Sequence, residues 1–230
     1  MLDTRTDRRG FIRSNALLAA GGLSGRSRTA WADEAIPHSI NPNLKIAAVK
    51  TYHLRHRLER PFGVSVSVPL SQHREALLVR IETNEGHVGW GETAPVSGAR
   101  GTIDDHLAPL LIGQNPLEHR RIWRLMWGPN FGNGLAVGAL DTALNDLRGK
   151  ALNLPVADLF GGRLRNRVPA YASAMNYVEG MNPEDHFPDE AASLVKRGFR
   201  TLKMRIGRYS VASEAKTAAA IRAAVGPDIR

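Results

Sequence analysis

The strongest constraint on the fold is an alternating stretch, EALLVRIETNEGHVGWGE, at positions 75–92. Residues two apart point to the same face of a strand, so the alternation predicts a strand with one buried face. The turn at 84–86 offers a glycine where positive φ is needed, and a second apolar run follows it. The segment predicts a β-hairpin. The two faces of its first strand are Leu77, Val79 and Ile81 against Leu78, Arg80 and Glu82.

The sequence on either side of the hairpin predicts a small α+β unit, with an antiparallel β-meander first and helices after it. Residues 46–54 are rich in strand formers, whereas 55–73 reads as a looser stretch. From His106 to Ala151 the apolar period becomes helical, with one stripe at Leu140, Ala143, Leu144, Leu147 and Ala151. The glycine-rich run at 128–134 lacks the Lys-Ser/Thr pair of a phosphate-binding loop, which favours a plain turn.

After residue 166 the pattern becomes strand, helix, strand, helix. Strands are predicted over 167–173 and 199–206. The first helix begins between Pro183 and Asp189, with Pro188 favouring the later start, and ends at Gly198. Ser210 caps a second helix that Gly226 closes, and residues 227–230 read as the entry to a further strand.

Composition narrows the classes of partner. The 230 residues are 43% hydrophobic and contain no cysteine, which excludes disulfides and thiolate metal sites. The net charge of +9 suggests a nucleic-acid partner. Much of this charge lies within residues 1–32, which contain six arginines and two aspartates. The remaining positive charge is scattered and lacks interleaved aromatic residues. We therefore expect no nucleic-acid partner.

The first 32 residues are similar to a twin-arginine export signal. Arg8 and Arg9 precede an aromatic and an aliphatic residue, a short apolar stretch follows, and residues 30–32 form a small-x-small cleavage site. The apolar stretch is too short to anchor the chain in a bilayer. We expect export to a periplasm, with residues 33–43 as a linker. The alternative is a basic leader that carries no targeting signal, and Arg26 and Arg28 favour this alternative.

Three stretches carry a resemblance to a known family. They are VGWGETAP at 88–95, GALDTALNDLRGKALNLPVADLFGG at 138–162 and LKMRIG at 202–207. In this order and spacing, the chain resembles the mandelate racemase and muconate-lactonizing branch of the enolase superfamily. The resemblance implies an α+β capping domain over 44–160 that leads into an incomplete (β/α) TIM-type barrel over 161–230.

The resemblance also implies a chemistry. Family members abstract the proton α to a carboxylate with the help of Mg²⁺, as racemases, dehydratases or cycloisomerases, so the implied partner is a small carboxylate substrate. Lys203 and Arg205 stand where the family carries Lys-x-Lys at the end of the second barrel strand. Alternation places both on one face, with Leu202, Met204 and Ile206 on the other.

Several roles stay open for this pair. Lys203 could be the base, since burial and a neighbouring cation both favour its neutral form. Arginine keeps its proton at neutral pH, so Arg205 fits better as a clamp for a substrate carboxylate or for developing negative charge. Lys203 could serve as a clamp as well. Alternatively both are solvated strand-end cations without chemistry.

Two weaker candidates for substrate binding are Ser173 and Phe62. Ser173 ends the first predicted barrel strand, where a serine that only caps the strand fits equally well. Phe62 lies in a segment, 60–64, that corresponds to the family's mobile specificity loop. His53 and His56 lack the further ligands that a metal site requires, and ordinary surface histidines fit better.

The family's metal ligands end the third, fourth and fifth barrel strands, and this chain offers no counterparts. A barrel of this type takes about 250 residues. We therefore expect a truncated member of an enzyme family, without Mg²⁺ ligands of its own and inactive as this chain. The competing interpretation is a non-catalytic periplasmic binding or interaction protein. Its open strand edge could pair with another chain, including a second copy.

Overall fold

A computed structural model describes residues 41–128 and 132–230. The predicted export signal at 1–32 and the linker through residue 40 lie outside these ranges, as does the centre of the glycine-rich run.

The predicted meander is present as an antiparallel sheet of three long strands, β1 (Ile46–Gly63), β2 (Ser71–Thr83) and β3 (Val88–Thr93). The hairpin between β2 and β3 is confirmed, and Gly86 takes φ 83° in its turn. The prediction of a loose stretch over 55–73 is wrong, because β1 and β2 occupy most of it. Charged and polar side chains lie on both faces of the strands here, so the sequence shows no alternation of apolar and polar residues from which a strand could be predicted. Cross-strand pairing still extends to Arg57 and His73.

Helices cover one face of this sheet. They are α1 (Ala99–Gly101), a π-helical turn (Thr102–Leu107), α2 (Ala108–Leu111), α3 (His119–Trp127), α4 (Gly134–Leu152) and α5 (Val156–Leu159). Helical structure thus begins at Ala99 and not at His106. The inward face of β2 and the α4 stripe form one core, with these residues fully buried: Leu77, Val79, Ile81, Leu140, Ala143, Leu144 and Leu147. Ala151, at the end of the stripe, is half-buried.

The second half contains β4 (Ala172–Ser173), β5 (Tyr177–Val178), α6 (Pro183–Lys196), β6 (Leu202–Lys203) and α7 (Val211–Val225). The alternating strand–helix order is confirmed, but the paired parts of the strands are shorter than predicted. β4 and β6 are parallel, with Ala172 opposite Leu202 and Ser173 opposite Lys203. Pro169 has no N–H group to donate, which contributes to the late start of β4. β5 pairs with β1 and so joins the two halves.

The later start predicted for α6 is wrong. The helix begins at Pro183, a residue whose fixed φ suits the first helical position, and the Asn182 side chain accepts a hydrogen bond from Glu184 N. Pro188 lies inside the first turns without ending the helix. The predicted cap of α7 is confirmed, since Ser210 accepts from Ser213 N and Gly226 follows the last turn.

The last residues were predicted to be the entry to a further strand; they form a turn and irregular backbone, and only Arg230 pairs with the neighbouring segment. Leu202 N donates to Arg230 O at 2.7 Å, and Arg230 N donates to Arg200 O at 3.0 Å, so Arg230 lies beside β6. Ile229 is 4% exposed. Two parallel strands and the start of a third, with helices on one side, form the beginning of a β/α barrel. Within the described ranges, no helix has the length and apolar character to cross a membrane.

Candidate functional site

Three of the predicted site residues lie on one face at the ends of β4 and β6. Ser173 and Lys203 are directly paired in the parallel ladder. The Arg205 Nη2 group lies 3.5 Å from Ser173 Oγ, a long hydrogen bond. Because the carboxyl ends of parallel strands meet at one edge, the structure brings these three side chains together.

The opposite face of the same segment belongs to the core. Leu202 and Met204 pack against a second cluster, which contains Met175, Tyr177 and Phe187. Ile206 does not share this environment, because its side chain is 65% exposed. The predicted alternation therefore holds for residues 202–205 and fails at Ile206, where β6 has already ended.

Lys203 and Arg205 differ in their surroundings. The side chain of Lys203 is exposed, and it makes no hydrogen bond or ion pair to any other residue of the described ranges. Arg205 is half-buried, and its Nε is shielded from solvent without a hydrogen-bond partner among the same residues. A shielded guanidinium donor without an acceptor is unfavourable and is satisfied by an anion placed beside it.

The turn after β6 closes around one carboxylate, which the sequence analysis missed. Glu214 Oε1 accepts from the backbone N–H groups of Gly207, Arg208 and Tyr209 at 2.8 to 3.0 Å, and Oε2 also lies 2.8 Å from Gly207 N. Burial by itself raises the pKa of Glu214, but the N–H groups of Tyr209 and Gly207, with the Tyr177 hydroxyl, outweigh it and lower the pKa to about 2. Glu214 is therefore an anion at any ordinary pH.

Tyr177 completes this arrangement from β5. Its hydroxyl donates to Glu214 Oε1 at 2.7 Å and lies 3.2 Å from the carbonyl oxygen of Arg205. Burial, followed by the hydrogen bond to Glu214 and the charge of Glu214, raises the pKa of Tyr177 to about 12. Tyr177 is only 2% exposed and stays neutral over the physiological range.

A loop of the capping domain reaches the same turn. Val66 N donates to Gly207 O at 3.4 Å, and Arg208 Nη1 donates to Ser65 O at 3.0 Å. We call residues 64–70, between β1 and β2, the capping loop. Residues 60–63 were predicted to belong to this loop, but they are the end of β1, where Phe62 and Gly63 pair with β5.

The surroundings of Phe62 include none of the other candidates. The guanidinium carbon of Arg74 lies 3.9 Å from the centre of its ring, and Phe62 lines an open cleft of about 530 Å³. The other lining residues are His56, Leu58, Glu59, Arg60, Arg74, Asn176, Val178, His186 and Glu190. The structure thus does not place Phe62 in one site with Ser173, Lys203 and Arg205.

The described ranges contain no group of three or more His, Asp or Glu side chains that could hold a metal ion. His53 lies 3.3 Å from Glu75, and His56 lines the cleft described above.

A sequence signal for Glu214 and Tyr177 was scarcely available. Glu214 follows a helix cap and reads as an ordinary first-turn acid, favourable to the helix dipole. Tyr177 and Arg208 are 37 and 6 positions from Glu214. Only the folded chain shows that the carboxylate accepts hydrogen bonds from residues outside its helix.

Known proteins share this architecture. Residues 46–161 match the family described as mandelate racemase / muconate lactonizing enzyme, N-terminal domain. The D-galactarolactone cycloisomerase of Agrobacterium fabrum is 34% identical over 196 residues, which are 81% of this chain and 50% of that protein. The N-succinyl-L-Arg/Lys racemase of Bacillus cereus is 32% identical over 194 residues, again 81% and 50%.

A solved structure of a related enzyme has the same fold over the part that this chain covers. The dipeptide epimerase of Enterococcus faecalis, in complex with Mg and the dipeptide L-Leu-L-Tyr, superposes with a TM-score of 0.69 at 29% identity, over 81% of this chain and 52% of that one. The chain spans about half the length of the curated relatives it matches. With its capping sheet, its helices and its first barrel strands in the family order, the chain belongs to the mandelate racemase / muconate lactonizing enzyme family.

Proposed function

We propose that this chain supplies the capping domain and the first barrel strands of an enzyme that abstracts the proton α to a carboxylate. The reaction would be that of a racemase, an acid-sugar dehydratase or a cycloisomerase. Family membership supports the reaction class, because relatives include a cycloisomerase and a racemase. The observation that carries the assignment to particular residues is the shielded, unpartnered Nε of Arg205.

Arg205 would bind the carboxylate of the substrate or the negative charge that develops on it. A fixed cation in a partly dry site stabilises such charge more than water does. The Lys203 side chain, exposed and unpaired within residues 41–128 and 132–230, would act as a second cation or as the base. The burial expected to favour its neutral form is not found, so only the neighbouring Arg205 supports the role of base. Ser173 would orient the guanidinium through its contact with Arg205.

Mg²⁺, which the family uses to polarise the substrate carboxylate, does not fit this chain. No group of ligands for it exists in the ranges that the structure describes. We propose that the 230-residue chain has no α-proton exchange activity by itself. A non-catalytic binding protein that retains the capping domain is the second candidate.

The test is incorporation of deuterium at the α-carbon of carboxylate substrates in D₂O, followed by NMR with and without Mg²⁺. The substrates to try are sugar acids, aromatic hydroxy acids and dipeptides. We expect no exchange with this chain, and metal-dependent exchange with any longer product of the same reading frame. In that product Arg205→Ala should lower the rate on the order of a hundredfold.

Exchange by the 230-residue chain would contradict its proposed inactivity. If the longer product binds carboxylates without exchanging the α-proton, the binding protein is the correct assignment. Calorimetry with Mg²⁺ and light scattering on the same samples would test metal binding and a homo-oligomer.

We also propose export to the periplasm through residues 1–32. These residues, fused to a folded fluorescent reporter, should deliver it to the periplasm. The double change Arg8→Lys and Arg9→Lys should abolish delivery, while Arg26→Lys with Arg28→Lys, which keeps the same charges, should not. If the changes at residues 8 and 9 do not affect delivery, the alternative of a basic leader without a targeting signal is favoured.

A further inference from the structure

Glu214 occupies an anion site made by the backbone of the turn before it. Three consecutive N–H groups, from Gly207 to Tyr209, point at one carboxylate. Consecutive N–H groups converge in this way only in a concave turn, and Gly207 supplies the left-handed conformation with φ 96°. The donors lie outside α7, so this carboxylate does more than complement its own helix.

Tyr177 ties the same carboxylate to the segment that carries the candidate cations. Its single hydroxyl proton faces two acceptors, Glu214 Oε1 at 2.7 Å and the carbonyl oxygen of Arg205 at 3.2 Å. Hydrogen bonds to a charged acceptor are the stronger ones, so the proton goes to Glu214. Through the aromatic ring, packed on Phe187 with ring centres 5.9 Å apart, the carboxylate is fixed to the barrel core.

The other side of the turn holds the capping loop. Arg208 donates through its backbone N–H to Glu214 and through its guanidinium to Ser65 O. The carbonyl oxygen of Gly207 accepts from Val66 N at 3.4 Å. Both contacts are made by residues of the turn whose N–H groups bind Glu214.

We propose that Glu214 is a positioning residue that fixes the end of the second barrel strand and seats the capping loop on it. Glu214 touches neither Lys203 nor the side chain of Arg205, so it acts through the backbone of 205–209. That these cations are placed for chemistry rests on the proposed function, but the seating of the loop does not. The low pKa of the carboxylate agrees with an anion held by several donors.

The inference has a specific test, because removal of the carboxylate would leave an empty anion site. In Glu214→Ala, we expect hydrogen exchange at the amides of 207–209 and of Val66 to accelerate on the order of tenfold to a hundredfold, from the usual strength of hydrogen bonds to a charged group. Sodium formate should restore protection at these amides in a saturable way. Sodium chloride at equal ionic strength should not.

The matched control is Glu184→Ala, which removes an exposed carboxylate from the first turn of α6. It should leave exchange at Val66 and 207–209 unchanged, and formate should have no effect on exchange in this variant. If Glu214→Ala does not fold, Glu214→Gln, which keeps an acceptor oxygen without the charge, serves instead. It should show faster exchange at both groups of amides than the wild type.

Faster exchange at 207–209 with no change at Val66 would overturn the seating of the capping loop. Restored protection by chloride as well as formate, or no restoration at all, would overturn the anion site. These amides report the network whether or not the longer protein catalyses α-proton exchange. A failure of the proposed function is therefore distinguishable from a failure of this inference.

Discussion

A carbon atom added as a side chain to Gly91 would lie 2.1 Å from the carbonyl oxygen of Ala139. The third strand of the sheet therefore rests directly on the backbone of α4, with no space for any side chain between them. Gly89 is in the same position against Ala143, also at 2.1 Å. The two glycines of VGWGE are thus required by the contact between strand and helix.

We expect Gly91→Ala to destabilise the chain, because the strand or the helix must move to make room for the methyl group. Overpacking of this kind typically costs about 1–3 kcal/mol. Urea denaturation followed by circular dichroism would measure the loss. Gly138→Ala is the control, since Gly138 lies in the same helix with open space around it, and it should be neutral or gain up to about 1 kcal/mol. Equal effects of the two changes would contradict the packing described here.

Glu214 should make stability depend on pH in the acid range. Its folded pKa of about 2 lies below the ordinary value of 4.5, so its contribution is present above pH 4.5 and is lost as the pH falls toward 2. The difference in unfolding free energy between the wild type and Glu214→Gln should be largest at neutral pH and shrink below pH 4.5. Urea denaturation of both proteins across this range would measure it. A difference that is constant with pH would show that the carboxylate is not held as described.

Tyr177 should make stability depend on pH in the alkaline range, where stability should fall as the pH rises. Its folded pKa of about 12 lies above the ordinary value of 10, so its contribution is complete below pH 10 and is lost as the pH rises through 12. The tyrosinate absorbance of the wild type should include a component from Tyr177 that titrates near pH 12. In Tyr177→Phe this component should be missing. A late component that survives the change would assign the shift to another tyrosine.

Arg222 should hold the last residues against the second barrel strand. Its Nη1 donates to the carbonyl oxygens of Gly226 at 2.7 Å and of Ile229 at 2.5 Å. Charged hydrogen bonds of this kind contribute about 1.5–3 kcal/mol, so Arg222→Ala should destabilise the chain by roughly this amount. It should also speed hydrogen exchange at Leu202 N, which donates to Arg230 O. Lys216→Ala, on the exposed side of the same helix, should have neither effect.

Local patterns predicted the parts of this fold in which burial repeats with the period of a helix or a strand. The face of β2 that enters the core, the stripe of α4 and the Ser210 cap all follow from residues a few positions apart. The placing of Lys203 and Arg205 opposite the core residues Leu202 and Met204 follows from the same alternation. Family motifs supplied the order of the two halves.

Only the tertiary structure determined the contacts between residues that are far apart in the sequence. The full length of β1 depends on pairing with β2 and β5, because its charged second half carries no apolar period. Glu214 receives Tyr177 from 37 positions away, and Arg208 reaches Ser65 across 143 positions. A periodic pattern records which face of an element is buried, but not which distant donor will meet a given carboxylate. That meeting is fixed only when the barrel strand, the helix after it and the capping loop converge at one turn.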